Sequence, residues 1–202
     1  PNHSGYSLMD LRKFLFKNRS FTPVPIVLAL LYYSNPVSPF IFYGLGLMII
    51  GELIRINAVR YAGGATRTIK VGAPSLCTTG PYAHTRNPLY LGNMTIYCGV
   101  ALLAGGQYMW ELFMVIFVFF TFQYSMIISL EEETLVTLFG KGYQKYRSNV
   151  PRLFPRITPW IGEDQRSPIP VLKTLKTEKR SLQNLALFLI LIIVRFLLGT
   201  PS

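Results

Sequence analysis

Long apolar stretches alternate with polar turns along this chain, a pattern typical of proteins whose helices cross a membrane. The turns are rich in Pro, Gly, Asn and charged residues, which are residue types that end helices. The apolar stretches cover residues 21–33, 40–59, 89–104, 108–130 and 185–198. The pattern predicts an all-α fold, a polytopic membrane bundle of about five transmembrane helices in a single domain covering residues 1–202.

The first stretch fits a transmembrane helix less well than the others, since it is short and carries Pro23 and Pro25. A helix that crosses a bilayer needs about 20 apolar residues, so we expect tilt, local thinning or incomplete insertion for several stretches. The first two stretches flank the turn 34–39, which contains two prolines, and together they are predicted to form a helical hairpin.

The composition also indicates a membrane protein. Half of the 202 residues are hydrophobic, 14% are charged, and the mean hydropathy is +0.35. The net charge is +11, and nearly all Lys and Arg residues lie at the N-terminus, between residues 55 and 88, or between residues 141 and 180. The turns 34–39 and 104–107 contain none, so the positive-inside rule puts the basic segments in the cytoplasm. Arg195 then lies near the outer end of the last helix, where it can snorkel.

The basic charge does not indicate a nucleic-acid partner, because such proteins combine a solvated basic face with aromatic residues that stack on bases. Here the aromatic residues lie inside the apolar stretches. Cys77 and Cys98 lack the spacing of a metal site, and His3 and His84 are too few for one. We therefore expect no metal, no disulfide framework and no nucleic acid.

Polar chemistry is concentrated on the predicted cytoplasmic side of the third and fourth stretches. Before the third, Gly80 and Pro81 predict a tight turn, and the fork of Arg86 suits a carboxylate or phosphate. Pro88 suits the first turn of a helix, which places Asn87 near the cap position.

The fourth stretch ends in three consecutive carboxylates, so Glu131 and Glu132 are expected at the end of its helix. Adjacent helical residues point about 100° apart, and only one of the pair can face a given ligand. Combined with Tyr82, Tyr90 and the arginine, they form a candidate receptor for a zwitterion. Taken singly, the same residues also fit a belt of interfacial tyrosines and a solvated acidic helix end.

Several small and charged residues inside the apolar stretches can be explained by helix packing or by their place near the membrane interface. Gly92 and Gly99 are expected to allow close helix packing rather than to approach a ligand. Glu52 and Arg55 are three residues apart and can pair on one helix face. Such a pair is either a functional site or a snorkelling pair at the interface.

The order and spacing of these motifs closely resemble the isoprenylcysteine carboxyl methyltransferase and phospholipid methyltransferase family. The resemblance covers roughly residues 51–155 and leaves the extension 156–202, with its extra helix, without a role. It is carried by Thr79-Gly80-Pro81-Tyr82, Arg86-Asn87-Pro88-Leu89-Tyr90, Glu131-Glu132 and Phe139-Gly140 with Tyr143 and Tyr146.

The resemblance implies a multi-pass membrane enzyme that uses S-adenosyl-L-methionine, bound on the cytoplasmic side, and a lipid or isoprenylated small-molecule acceptor. By position it implies that Ser75, Leu76, Cys77, Tyr82, Asn87, Pro88, Leu89, Tyr90 and Glu131 bind the cofactor. Arg86 and Glu132 are the candidate catalytic residues. A sulfonium methyl needs no protein nucleophile, but an amine acceptor must lose a proton, which Glu132 or a water could take.

Two positions depart from the family pattern. Asn87 stands where the family usually has histidine, and asparagine cannot become cationic. Ile127 stands where the prenylcysteine enzymes have an arginine, which weakens that acceptor class while leaving methyl transfer intact. A sterol-reductase-like oxidoreductase that binds NADPH and a non-catalytic lipid-binding protein are the alternative readings.

Overall fold

The computed structural model describes residues 4–63 and 71–198, and the regular elements in that part of the chain are helices, which confirms the all-α fold class. The helices are α1 (Ser4–Asn18), α2 (Val24–Tyr32), α3 (Phe40–Ala62), α4 (Pro88–Ala104), α5 (Met109–Asn149) and α6 (Val171–Leu198). Three of them, α3, α5 and α6, are long and apolar enough to cross a membrane. The apolar α4 has 17 residues and α2 only 9.

Helix α5 does not end where its apolar stretch ends. It continues past Leu130 to Asn149, with a break in helical geometry at Gly140, where φ is 50°. The prediction that Glu131 and Glu132 lie at a helix end was therefore wrong. The apolar stretch marks only the part of the helix that is compatible with lipid. The residues that follow it include Glu and Leu, which favour helix, so the helix continues beyond the apolar stretch.

Helices α1 and α6 also differ from the sequence prediction. Helix α1 was not predicted, because it lies outside the apolar stretches. Helix α6 begins at Val171, well before its apolar stretch starts at residue 185. Hydropathy alone therefore misses α1 and detects only the apolar second half of α6.

Close contact between α3 and α4 depends on paired glycines. A methyl group built on Gly99 would lie 2.7 Å from the carbonyl oxygen of Gly44, and one on Gly92 would lie 2.8 Å from that of Gly51. These distances are too short for any side chain, so the two backbones touch directly. The packing role predicted for Gly92 and Gly99 is confirmed.

The two turns that lack Lys and Arg lie at the same end of the bundle. The amide of Asn35 donates to the carbonyl of Ala104 at 2.8 Å, and the amide of Gly106 donates to the carbonyl of Asn35 at 3.0 Å. Arg195 lies at the same end, since its Nε donates a hydrogen bond to the carbonyl of Ser34 at 3.3 Å. The orientation of this end relative to the membrane stays a prediction. Part of the basic loop on which it rests, residues 64–70, lies outside the described residues.

An extended segment of residues 150–170, which we call the strap, connects α5 to α6. It follows the turn before α4 and is hydrogen-bonded to it along the backbone. The amide of Arg156 donates to the carbonyl of His84, and the amide of Trp160 to that of Ala83, both at 2.9 Å. The strap thereby holds the motif-bearing turn against the end of α5.

Candidate active site

A cavity of about 770 Å³ lies between helices α2 to α6 and the loop before α4. Cavities of about 300–1,000 Å³ are usual for small-molecule sites. Every residue that the sequence singled out for cofactor binding or catalysis lines this cavity: Ser75, Leu76, Cys77, Tyr82, Arg86, Asn87, Pro88, Leu89, Tyr90, Glu131 and Glu132. The fold thus brings the candidates into one place, while the role of each stays a prediction.

Arg86 and Glu132 form a buried ion pair in the cavity wall. The Nε and Nη2 atoms of Arg86 donate to Oε1 of Glu132 at 3.0 and 2.8 Å. The Nη1 atom donates to the carbonyls of Arg147 and Val150, both at 2.8 Å. The side chains are 8% and 6% exposed. Each nitrogen of the guanidinium group therefore already has a protein partner, and the fork faces Glu132 rather than an open binding site.

Glu131 points to a different part of the wall. Its Oε1 accepts a hydrogen bond from the hydroxyl of Tyr90 at 3.0 Å. Among residues 4–63 and 71–198 it has no ion pair with Lys or Arg. Glu133 faces away from the cavity and pairs with Arg12 at 2.6 Å. The three consecutive carboxylates thus have three different surroundings, and Glu131 is the one available to a cation in the cavity.

The tight turn predicted at Gly80 and Pro81 is present as a short 3₁₀ helix, Gly80–Ala83. Tyr146 fixes it from α5, since its hydroxyl donates to the carbonyl of Tyr82 at 2.7 Å. Burial raises the pKa of Tyr82, and the nearby Cys77 and Glu131 raise it further. The Tyr82 hydroxyl is therefore neutral at physiological pH and can form hydrogen bonds but cannot act as a base.

Cys77 lies beside Tyr82 in the same wall. Burial raises the pKa of its thiol, an effect that the positive charge of Arg166 only partly opposes. The group is therefore predominantly a neutral thiol at physiological pH.

Asn87 occupies the N-cap position of α4, as the sequence predicts, but its side chain makes no capping hydrogen bond. Its Nδ2 donates instead to the carbonyl of Arg152 in the strap at 2.8 Å. At the position where the family has histidine, this chain therefore uses an amide to attach the strap. Ile127, the second departure, is fully buried in the apolar core.

Helices α2 and α6 also contribute to the wall of the cavity. Apolar side chains dominate this part, including Val27 and Leu31 from α2 and Phe188 and Leu191 from α6. The cavity therefore combines a polar part near the motif residues with an apolar part. We refer to these two regions as the polar compartment and the apolar compartment.

A charged cluster also lines the cavity. Arg55 donates to Glu52 at 3.1 Å, which confirms the predicted pairing on α3. It also donates to Glu178 at 2.5 Å and to Ser181 at 2.8 Å, both on α6. Glu178 is 1% exposed. The cluster attaches α6 to the family-like core, a contact that the sequence did not predict because it joins residues more than 120 positions apart.

Several other lining residues were also not predicted. Polar and aromatic lining side chains outside the motifs include Arg19, Asn93, Tyr97 and Tyr124, and the motif residues Tyr143 and Tyr146 line the cavity as well. Tyr143 and Tyr146 carried the family resemblance but were not assigned to the site. Their spacing of three residues, which puts them on one helix face, was an available signal.

Comparison with known proteins gives three matches. The family model described as Phospholipid methyltransferase matches residues 40–142. The chain is 34% identical over 118 residues to a protein-S-isoprenylcysteine O-methyltransferase of Schizosaccharomyces pombe, covering 56% of this chain and 48% of that protein. It is 30% identical over 114 residues to a methanethiol S-methyltransferase 2 of Bradyrhizobium diazoefficiens, covering 56% and 42%.

The chain thus spans about half the length of the curated relatives it matches. No solved structure matches it. Both relatives are named as methyltransferases. These names do not favour the alternative hypothesis of a sterol-reductase-like oxidoreductase.

Proposed function

Since the chain belongs to the phospholipid methyltransferase family, we propose that it is a membrane-embedded, S-adenosyl-L-methionine-dependent methyltransferase acting on a lipid or isoprenylated acceptor. The observation that carries this proposal is one cavity with two compartments. Glu131, a carboxylate without an ion pair among the described residues, borders the polar compartment, and the apolar compartment belongs to the same cavity.

The polar compartment fits the cofactor's amino-acid part. Glu131 would bind the ammonium group, while the hydroxyl of Tyr90 keeps the carboxylate in place. The first-turn amides of α4, at Leu89 and Tyr90, have no partner within the helix and would bind the carboxylate group of the cofactor. Ser75 to Cys77 and Tyr82 would bind the remainder. The bound cofactor supplies an activated methyl group, so the protein has to align the acceptor and exclude water.

Glu132 is the proposed proton acceptor when the methyl acceptor is an amine. Both contacts from Arg86 go to Oε1, and no hydrogen bond from the described residues reaches Oε2. Arg86 would position this carboxylate, since all of its own nitrogens have partners. A carboxylate acceptor would need no base.

The apolar compartment would hold the acceptor's hydrocarbon chain. Each buried CH₂ group contributes about 0.8 kcal/mol to binding, so a prenyl or acyl chain supplies much of the affinity. The buried Ile127 offers no positive charge to a carboxylate, which favours acceptors other than prenylcysteine. With the basic segments in the cytoplasm, the polar compartment opens on the cytoplasmic side of a multi-pass membrane protein.

Equilibrium binding of S-adenosyl-L-methionine and of NADPH to the detergent-solubilised protein tests the reaction class. A methyltransferase binds the first, a reductase the second, and a non-catalytic lipid-binding protein neither. Transfer of radiolabelled methyl to host lipid extract, a prenylcysteine analogue and a soluble extract then tests the acceptor. Label found only in the soluble extract would refute the lipid acceptor, and label in the prenylcysteine pool alone would show that Ile127 does not exclude that substrate.

A further inference from the structure

Two charged residues of the strap hold the loop that carries three of the proposed cofactor-binding residues. The loop comprises residues 75–79, and the residues that hold it are Asp164 and Arg166. Both lie outside the region that matches the family model, which ends at residue 142. They also lie in the extension to which the sequence assigned no role.

Asp164 binds the far end of the loop. Its Oδ2 accepts a hydrogen bond from the amide of Thr78 at 2.9 Å and from the hydroxyl of Thr79 at 3.3 Å. Burial alone would raise the pKa of this carboxyl group, but the hydrogen bonds from Thr78 and Arg166 outweigh it and hold the pKa below its usual value. The group is ionised at physiological pH, and its contacts with the loop are charge-assisted.

Arg166 binds the near end. Its Nη2 donates to the carbonyl of Leu76 at 2.7 Å and to the hydroxyl of Ser75 at 3.3 Å. Its Nε donates to Oδ1 of Asp164 at 3.0 Å, so the two strap residues also fix each other. The pair therefore contacts the loop on both sides of Cys77.

The loop needs such partners because it has no regular structure of its own. Residues 75–79 are neither helical nor paired in a sheet, so their backbone donors and acceptors have to be satisfied by other segments or by water. A loop that is ordered before the ligand arrives binds it more tightly, since the cost of ordering is not subtracted from the binding free energy.

We propose that Asp164 and Arg166 are positioning residues that preorganise the loop 75–79 for the cofactor. This proposal rests on the proposed function, because it takes the loop as part of the cofactor site. It assigns to the strap a role in cofactor affinity that is separate from the chemistry of methyl transfer.

The test compares two neighbouring carboxylates. Asp164→Asn removes one negative charge at almost constant size, and we expect it to raise the Kd for S-adenosyl-L-methionine about tenfold. Glu163→Gln removes the same charge one residue earlier, where the side chain is 93% exposed and its carboxylate pairs with Lys145. We expect that control to bind the cofactor as the wild type does.

A second readout does not depend on the cofactor. In a Cys98→Ala background, the rate at which a thiol reagent alkylates Cys77 reports how firmly the loop is held. The rate is measured over a range of pH and extrapolated to the fully ionised thiol, because the charge of Asp164 also raises the pKa of Cys77. We expect Asp164→Asn to accelerate it and Glu163→Gln to leave it unchanged. Arg166→Lys retains the charge but loses the fork that bridges the loop, so it tests the same contact if the asparagine variant does not fold.

The outcomes separate the two proposals. If the wild type binds the cofactor and Asp164→Asn changes neither its Kd nor the alkylation rate of Cys77, the positioning role is overturned. If the wild type binds no cofactor, the proposed function fails. The alkylation rates then still decide whether the strap holds the loop.

Discussion

Replacing Glu131 with glutamine is the sharpest test of the cofactor site. The side chain borders the polar compartment and accepts one hydrogen bond, from Tyr90 at 3.0 Å. Glutamine keeps an acceptor oxygen for Tyr90 and nearly the same volume, so the fold should persist. What the substitution removes is the negative charge that the cofactor's ammonium group would contact.

The expected size of the effect follows from the strength of such a contact. A hydrogen bond to a charged group contributes about 1.5–3 kcal/mol, so Glu131→Gln should weaken S-adenosyl-L-methionine binding about ten- to a hundredfold. Titration calorimetry in detergent measures the change directly and requires no knowledge of the acceptor.

Glu133→Gln provides a matched control from the same run of carboxylates. Its side chain is 61% exposed and contacts Arg12 on the other side of α5, so cofactor binding should remain as in the wild type. Equal losses from the two variants, or no loss from Glu131→Gln, would show that Glu131 does not bind the ammonium group and that the acidic run acts only as a polar helix segment.

The remaining predictions concern stability and topology. Glu132→Gln leaves the buried guanidinium of Arg86 without its counter-ion and should lower the free energy of unfolding by about 3–5 kcal/mol, measured by chemical denaturation in detergent; wild-type stability would show that the ion pair contributes nothing. A cysteine placed at Ser38, in a background without native cysteines, should react with an impermeant reagent in intact cells, whereas one at Ser148 should not. The reverse pattern would invert the proposed orientation.

Much of the candidate site was predictable because its residues lie in short, dense motifs. The turn at Gly80 and the helix start at Pro88 follow from local backbone preferences, which act over a few residues. The pairing of Glu52 with Arg55 is equally local, since helical spacing alone brings them together. The family match over residues 40–142 confirms the resemblance that these motifs indicated.

The partners of the charged groups were not predictable in the same way. The sequence offered Arg86 as a free fork for a ligand, but the structure pairs it with Glu132, 46 positions away. It also placed the carboxylates at a helix end, although α5 continues to Asn149. Hydropathy detects where a helix contacts lipid and has no signal for where its backbone hydrogen bonds stop.

By itself, then, the sequence determined the all-α class, the order of the apolar helices and the motif residues that line part of the cavity, because periodicity, turn chemistry and motif spacing are local properties of the chain. Only the tertiary structure decided which of the two cavity-lining carboxylates is paired with an arginine and which has no ion pair among the described residues. It alone showed that Glu178 attaches α6 to Arg55 and that Asp164 and Arg166 form hydrogen bonds with the loop 75–79. These contacts join distant segments, and their partners are set by packing in three dimensions, which no local pattern encodes.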